Sequence, residues 1–186
     1  MEIKGEYRIA RDRETVWYAL NDPGVLQKCI PGCESLERSA DNEFEGKVAA
    51  SIGPVRAKFD TRIRLENLKP PESYTLTGES KAGAAGFGRG SANVTLVEQE
   101  NGTLLTYTAD FKVGGKLAQV GSRLVLGATR KTADDFFGCF SRELDSGAVS
   151  VARAEGKAAG AHVLSRSWIA FGAAVLALLI WWFLLR

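Results

Sequence analysis

The sequence predicts an α+β domain in which an antiparallel sheet of about seven strands curves around one long C-terminal helix. Two short helices follow the first strand, and a separate apolar segment ends the chain. Three observations predict this. Apolar residues recur at every second position through the middle of the chain, at helical spacing from about residue 116 to 144, and without interruption from Trp168 to Leu185. A block of strands followed by a helix, rather than strict alternation of the two, is the order of an α+β fold.

Residues 2 to 9 put Ile3, Tyr7 and Ile9 on one face, with Gly5 between them, as a half-buried first strand requires. Asp12 offers an N-cap for a short helix whose Val16, Trp17 and Leu20 share a side, and Asp22-Pro23-Gly24 breaks it. A second short helix around Val25 to Cys29 ends before Pro31-Gly32. Period two then begins, with strands expected at Ser35 to Arg38 and Phe44 to Ser51. After a Gly53-Pro54 turn, Val55, Ala57, Phe59, Thr61, Ile63 and Leu65 alternate with charged residues, the pattern of a sheet with one wet face. Pro70-Pro71 separates this strand from Tyr74 to Ser80. The glycine-laced stretch from Gly83 to Gly90 leads into Ala92, Val94 and Leu96, and Asn101-Gly102 marks a hairpin before Leu105, Tyr107, Ala109, Phe111 and Val113. From about Lys116 to Leu144 one long helix is expected, its apolar stripe running from Leu117 and Val120 to Phe140 and Leu144. Leu124, Val125 and Leu126 are consecutive, so one of them must face away from the core. With Gly114, Gly115, Gly121 and Gly127 nearby, this region reads as a deformable apolar lip or as a kink against a long loop.

The domain is expected to span residues 1–147. Residues 148–167, rich in Ala, Gly, Ser and basic residues, read as a flexible linker. Residues 168–185, WIAFGAAVLALLIWWFLL, would make a helix of about 27 Å, near the thickness of a bilayer's hydrocarbon core. Trp168 at one end and Trp181 and Trp182 near the other suit the headgroup level, and Arg166 and Arg186 flank the run. A transmembrane anchor is therefore expected. The N-terminus has charges every few residues and no apolar core of a signal peptide. With Arg153, Lys157 and Arg166 on the soluble side of the anchor, a single-pass protein of the cytoplasmic membrane is expected, its domain on the cytoplasmic side.

Several function classes are disfavoured. The 24 basic and 22 acidic residues are evenly spread, so nucleic acid is not an expected partner. Cys29, Cys33 and Cys139 are odd in number and read as thiols in a reducing compartment. Cys29 and Cys33 bracket a Pro-Gly turn, either as a rigid loop or as a docking surface. With His162, the single histidine, in the linker, they do not make a metal site. The domain itself has no histidine to act as a base, and Asp134 and Asp135, adjacent on a helix, point about 100° apart and read as a solvated face. The glycines at 83, 86, 88 and 90 fit no phosphate-loop spacing. No catalytic residue, metal ligand or covalent cofactor is expected.

Along the inward face, Gly46, Ala50, Ala57, Gly78, Ser80, Gly88, Gly90 and Ala109 are small, whereas Phe59, Leu76, Tyr107 and Phe111 are large. Interiors pack near crystal density, so this many small residues imply either close docking of the helix or an internal pocket.

The order of elements resembles the START-like (SRPBCC) helix-grip superfamily. More narrowly, Cys29-Ile30-Pro31-Gly32-Cys33-Glu34-Ser35-Leu36, the stretch from Ala84 to Gly90 and the closing helix resemble the G-subunit family of carbon monoxide dehydrogenase. The resemblance covers residues 1 to about 147 and extends to a C-terminal anchor seen in members of that family. It implies an apolar ligand held between sheet and helix, with Phe59, Leu76, Phe87, Gly88, Gly90, Tyr107, Phe111, Leu117, Val120 and Leu124 as the expected lining. It also implies an accessory protein, not an enzyme, that recruits a carbon monoxide dehydrogenase-type molybdenum hydroxylase to the bilayer. A respiratory quinone, menaquinone or ubiquinone, is then the natural ligand. Two alternatives stand beside this. One is a recruitment adaptor without ligand, working through the charged strand face from Arg56 to Glu66. The other is an aromatase or cyclase, which needs a titratable cavity that the inward face does not offer.

Overall fold

Strand β1, Glu2–Ile9, lies at one edge of a seven-stranded antiparallel sheet and β2, Cys33–Ala40, at the other. The computed structural model describes residues 1–147. The expected linker 148–167 and anchor 168–185, with His162, Trp168, Trp181 and Trp182, lie outside the described residues. Among the described residues no helix is long and apolar enough to cross a membrane.

The remaining strands are β3 (Glu43–Ile52), β4 (Val55–Lys69), β5 (Ser73–Lys81), β6 (Phe87–Gln99) and β7 (Gly102–Gly114), in the spatial order β1-β7-β6-β5-β4-β3-β2. From β2 to β7 each strand pairs with its successor, so only the step from β1 to β2 must cross the sheet. The two short helices make that crossing. Helix α1, Arg13–Leu20, starts at Asp12, whose carboxylate accepts from the Thr15 backbone N–H at 2.9 Å and the Thr15 hydroxyl at 2.7 Å. Those hydrogen bonds hold the Asp12 carboxyl below its usual range. Helix α2, Pro23–Cys29, starts at Asp22, with Pro23 at the first helical position, where its missing N–H costs nothing.

The edges differ in kind. Exposed Glu2, Lys4, Glu6 and Arg8 alternate along β1. The pairing of β2 with β3 shifts register twice, between Cys33 and Ser35 and between Arg38 and Ala40. On the outer face of the central strands the charges pair across the sheet: Arg62 with Glu45 at 2.8 Å, Arg64 with Glu43 at 2.6 Å, Lys58 with Glu34 at 2.6 Å, and Lys47 with Asp60.

One long helix from Lys116 to Leu144 was the sequence expectation; the structure divides it. Helix α3 is a single turn, Lys116–Gln119, and α4 runs over Ser122–Asp145. Gly121 separates them with φ +95°, a left-handed conformation that residues bearing a Cβ rarely adopt. Of the three consecutive apolar residues, Val125 is buried and Leu124 faces solvent.

Helix α4 is held at its C-terminal end. Phe140 and Leu144 are 0% and 2% exposed, in a core shared with Ile9, Val16, Trp17, Leu20, Val25 and Leu105. The Arg11 guanidinium donates to the Leu144 carbonyl at 2.9 and 3.2 Å and to the Asp145 carbonyl at 3.3 Å, placing a cation on the last-turn acceptors that the helix leaves unsatisfied. Lys28 of α2 pairs with Glu143 at 3.1 Å.

Cys29 and Cys139 form a disulfide between α2 and α4, with Cα atoms 5.2 Å apart and a sequence separation of 110. The sequence reading of all three cysteines as thiols is thereby corrected. An odd count does not exclude one staple, and only the crossing of α4 over the end of α2 brings this pair together. Cys33 is the thiol that remains; burial raises its pKa, and its Sγ donates to the Ser35 carbonyl at 3.4 Å.

Two outcomes test this anchoring. Reducing the disulfide, or Cys139→Ser, is expected to lower the unfolding free energy by about 4–5 kcal/mol, the chain-entropy value for a loop of roughly 110 residues; an unchanged urea midpoint would remove the staple from the stability account. In hydrogen exchange, amides from 124 to 130 are expected to exchange faster than those from 136 to 144. Uniform protection along α4 would contradict a helix held at one end.

Candidate functional site

Alternation along the strands decides what lies beneath α4. Phe44 on β3, Ile63 and Leu65 on β4, Tyr74 and Leu76 on β5, Ala92 and Val94 on β6, and Leu105, Tyr107 and Ala109 on β7 all face one side. Opposite them, α4 presents Thr129, Thr132, Ala133, Phe136 and Phe137, and the end of α2 adds Leu26, Ile30 and Pro31. Apart from the Phe137 ring, which stacks near Tyr107 with centroids 6.2 Å apart, the two walls stand off from each other. They enclose a cavity of about 430 Å³, within the range of small-molecule sites. A second cavity of about 290 Å³ shares Ile30, Leu36 and Ile63 with the first and continues past Val48, Ala50 and Ile52 of β3, Phe59 of β4, Gly88 of β6, Val113 of β7 and Leu117 of α3. Close docking of the helix, the alternative to a pocket, is therefore not what the structure shows.

Among the described residues, no Asp, Glu, Lys, Arg or His lines either cavity. The polar groups of the larger one are two phenols and two threonines. Tyr74 is 6% exposed and stands edge-on to Trp17 at 5.5 Å; burial alone raises its pKa well above the usual phenol range, and its hydroxyl has no hydrogen bond among the described residues. Burial also raises the pKa of Tyr107. Tyr7 joins a stack in which its ring lies 4.0 Å from that of Phe137 and 6.3 Å from that of Tyr107. The Tyr7 hydroxyl donates to Asp134 at 2.7 Å, and burial together with that bond raises its pKa far above normal. All three phenols therefore stay protonated, as hydrogen-bond donors, over the physiological range. Asp134 is thus more than a solvated carboxylate: it fixes Tyr7 beside the cavity. Asp135 does remain on the outer face, paired with Lys131 at 2.6 Å.

The ten lining residues expected from sequence fall into three groups. Leu76 and Tyr107 line the larger cavity, and Phe59, Gly88 and Leu117 the smaller. Phe87, Val120 and Leu124 gather at the open end; Phe87 and Leu124 are 43% and 56% exposed, and Val120 and Leu124 lie over Gly53. Gly90 and Phe111 border neither cavity. They sit on a groove of about 650 Å³ on the outer face, among Arg62, Arg64, Glu79, Arg89, Asp110 and Lys112. They pair in register, and a Cβ at Gly90 would fall 2.7 Å from the Phe111 Cβ, so Phe111 already crowds the space that Gly90 leaves. Met1 closes over the same point, its amine donating to the Phe111 carbonyl at 2.8 Å. That larger groove is walled by charged side chains, of which Arg62 and Arg64 are paired across the sheet, and it lacks the apolar enclosure of the space under α4. Sequence reasoning did not single out Tyr74, Phe136 or Phe137; the run of Phe at 136, 137 and 140 was the one available signal.

A family model for the carbon monoxide dehydrogenase G-subunit (CoxG) matches residues 5–145. Among solved structures, a conserved protein from Geobacillus kaustophilus is 32% identical with a TM-score of 0.75, the match covering 79% of this chain and 97% of that one. The Zhui aromatase/cyclase from Streptomyces matches at 11% identity and a TM-score of 0.60, over 82% of this chain and 98% of that one. A Thermus thermophilus protein matches at 15% identity and a TM-score of 0.60, over 78% and 98%. At such low identity, the last two show the helix-grip fold alone. The comparison with curated proteins gives no match. The matched region makes up 97% of the Geobacillus chain, so in that protein the domain folds without a further C-terminal segment.

The wall at Gly88 supplies a direct probe. A Cβ there would meet no atom within 4 Å, so Gly88→Leu is expected to project into the smaller cavity without backbone conflict. Thermal stability should hold or rise, since glycine weakens a strand interior, while uptake of an apolar probe falls. A variant that unfolds would show that the space is not there.

Proposed function

The chain belongs to the CoxG family, the G-subunits of carbon monoxide dehydrogenase, and from that premise we propose that it is a membrane-tethered carrier of a respiratory quinone. In this reading it recruits a carbon monoxide dehydrogenase-type molybdenum enzyme to the cytoplasmic membrane and links that enzyme to the quinone pool. The family associates the chain with carbon monoxide dehydrogenase as an accessory protein; the quinone, the tether and the recruitment are the proposal.

The observation that carries it is the uncharged, apolar cavity beneath α4 with phenols in its wall. Removing an isoprenoid chain from a bilayer is feasible only into surroundings nearly as apolar, because each CH₂ returned to water costs about 0.8 kcal/mol. A quinone ring is flat and carries only acceptors. The Phe136, Phe137 and Tyr107 rings suit its faces, and protonated Tyr74 and Tyr107 suit its carbonyls. A linker of 20 residues has a typical span of roughly 25 Å, enough for the domain to reach the bilayer and then a docked enzyme. No redox group of the protein's own is required. A cavity without a carboxylate, amine or imidazole in its wall also favours binding over the turnover that an aromatase or cyclase performs.

The test is organic extraction and mass spectrometry of purified residues 1–147 after exposure to native membranes. A stoichiometric quinone is expected; a clean extract would leave a recruitment adaptor. Tyr74→Phe and Tyr107→Phe are each expected to weaken quinone binding about two- to tenfold, the net worth of one hydrogen bond. Unchanged affinity in both would remove the phenols from the site.

A further inference from the structure

Three segments meet at the open end of the domain: the β3–β4 turn (52–56), the β5–β6 connection (81–89) and the passage from β7 into α4 (112–127). Their contact is direct. The position a Cβ would take on Gly53 lies 3.2 Å from Val120 and 3.8 Å from Leu124, and the corresponding point on Gly115 lies 2.6 Å from the Gly86 Cα. The smaller cavity extends to this end, since Ile52, Gly88, Val113 and Leu117 line it.

The composition of these segments is one-sided. They hold Arg56, Lys81, Arg89, Lys112, Lys116 and Arg123, and not one Asp or Glu. Glu79 stands opposite Arg89 on β5 and pairs with Lys81. Arg56, Lys112, Lys116 and Arg123 are all exposed, and none has an ion-pair partner among the described residues. This contrasts with the middle of the sheet, where Arg62 and Arg64 face carboxylates. The same segments carry two of the four exposed large apolar side chains among the described residues, Phe87 and Leu124.

We propose that this end is a docking surface for an anionic lipid bilayer, with the four free cations at the headgroup phosphates and Phe87 and Leu124 among the first acyl carbons. Isolated cations around exposed apolar residues complement that interface in both charge and polarity. A folded acidic protein would supply the charge but would not by itself call for exposed side chains at a cavity mouth. Docked this way, the space under α4 opens toward lipid, so the surface deepens the carrier reading and draws its purpose from it.

Co-sedimentation of residues 1–147 with vesicles tests it, using phosphatidylglycerol mixed with phosphatidylcholine against phosphatidylcholine alone. Binding is expected only to the anionic vesicles. Lys116→Ala and Arg123→Ala should each lower partitioning about fivefold, the electrostatic worth of one basic residue near such a surface. The control pair Arg62→Ala and Arg64→Ala should change it less than twofold. In Leu124→Trp, anionic vesicles should shift the fluorescence to the blue. Equal loss in both pairs, equal binding to neutral vesicles, an unshifted emission, or burial of Leu124 in a dimer would each overturn the proposal. Quinone in the extract without vesicle binding would sink the docking surface and leave the carrier standing; vesicle binding with a clean extract would do the reverse.

Discussion

Everything else in this domain follows from holding a long helix much more firmly at its C-terminal end than at its N-terminal end. The C-terminal turns of α4 are fixed by Phe140 and Leu144 in the core, by Arg11 on the terminal carbonyls and by the Cys29–Cys139 bond to α2. Toward its N-terminus Val125 is the one fully buried side chain, and Gly121 separates the helix from the turn before it. A helix clamped along its whole length would have forced the sheet's inner side chains against it. Clamped at one end, it can stand off from the sheet, and the space between is the cavity.

That space is chemically simple, which narrows what it does. A site that turns over a substrate commonly includes a base or acid with a shifted pKa. Here the shifted groups in the wall are phenols moved further from ionisation, which makes them reliable donors and poor proton acceptors. The larger groove outside the sheet shows the opposite chemistry, a wall of charged side chains of which Arg62 and Arg64 are compensated by carboxylates across the sheet. Volume alone would have pointed to the wrong face of the molecule.

The local grammar of the chain was legible. Asp12 announces its helix because a cap is a local hydrogen bond, and β4 declares its faces because each alternate residue is charged, whereas Asp22, read as a break, turns out to cap the second helix. A kink among Gly114, Gly115, Gly121 and Gly127 was one of the two readings of the pattern, but its place at Gly121 was not, since one glycine costs a helix only about 1 kcal/mol and the apolar stripe continues on both sides. The partners Cys29 and Cys139 are linked by the path of α4, which no spacing rule encodes. Of the expected lining, Leu76 and Tyr107 reach the larger cavity because alternation fixes their side, while Gly90 and Phe111, in the same alternation on β6 and β7, border neither cavity. Tyr74 was passed over for a related reason: a strand pattern says that a tyrosine points inward, not whether its hydroxyl finds a partner there.

The two sheet edges carry a further consequence. A protein confined to a surface meets its own copies at far higher effective concentration than in bulk, and unpaired strands are then templates for lateral polymer growth. Alternating charges along β1 and two register slips in β2 make each border a poor match for another strand. Crowded neighbours in a plane would slide past one another as separate molecules, without knitting into a fibre.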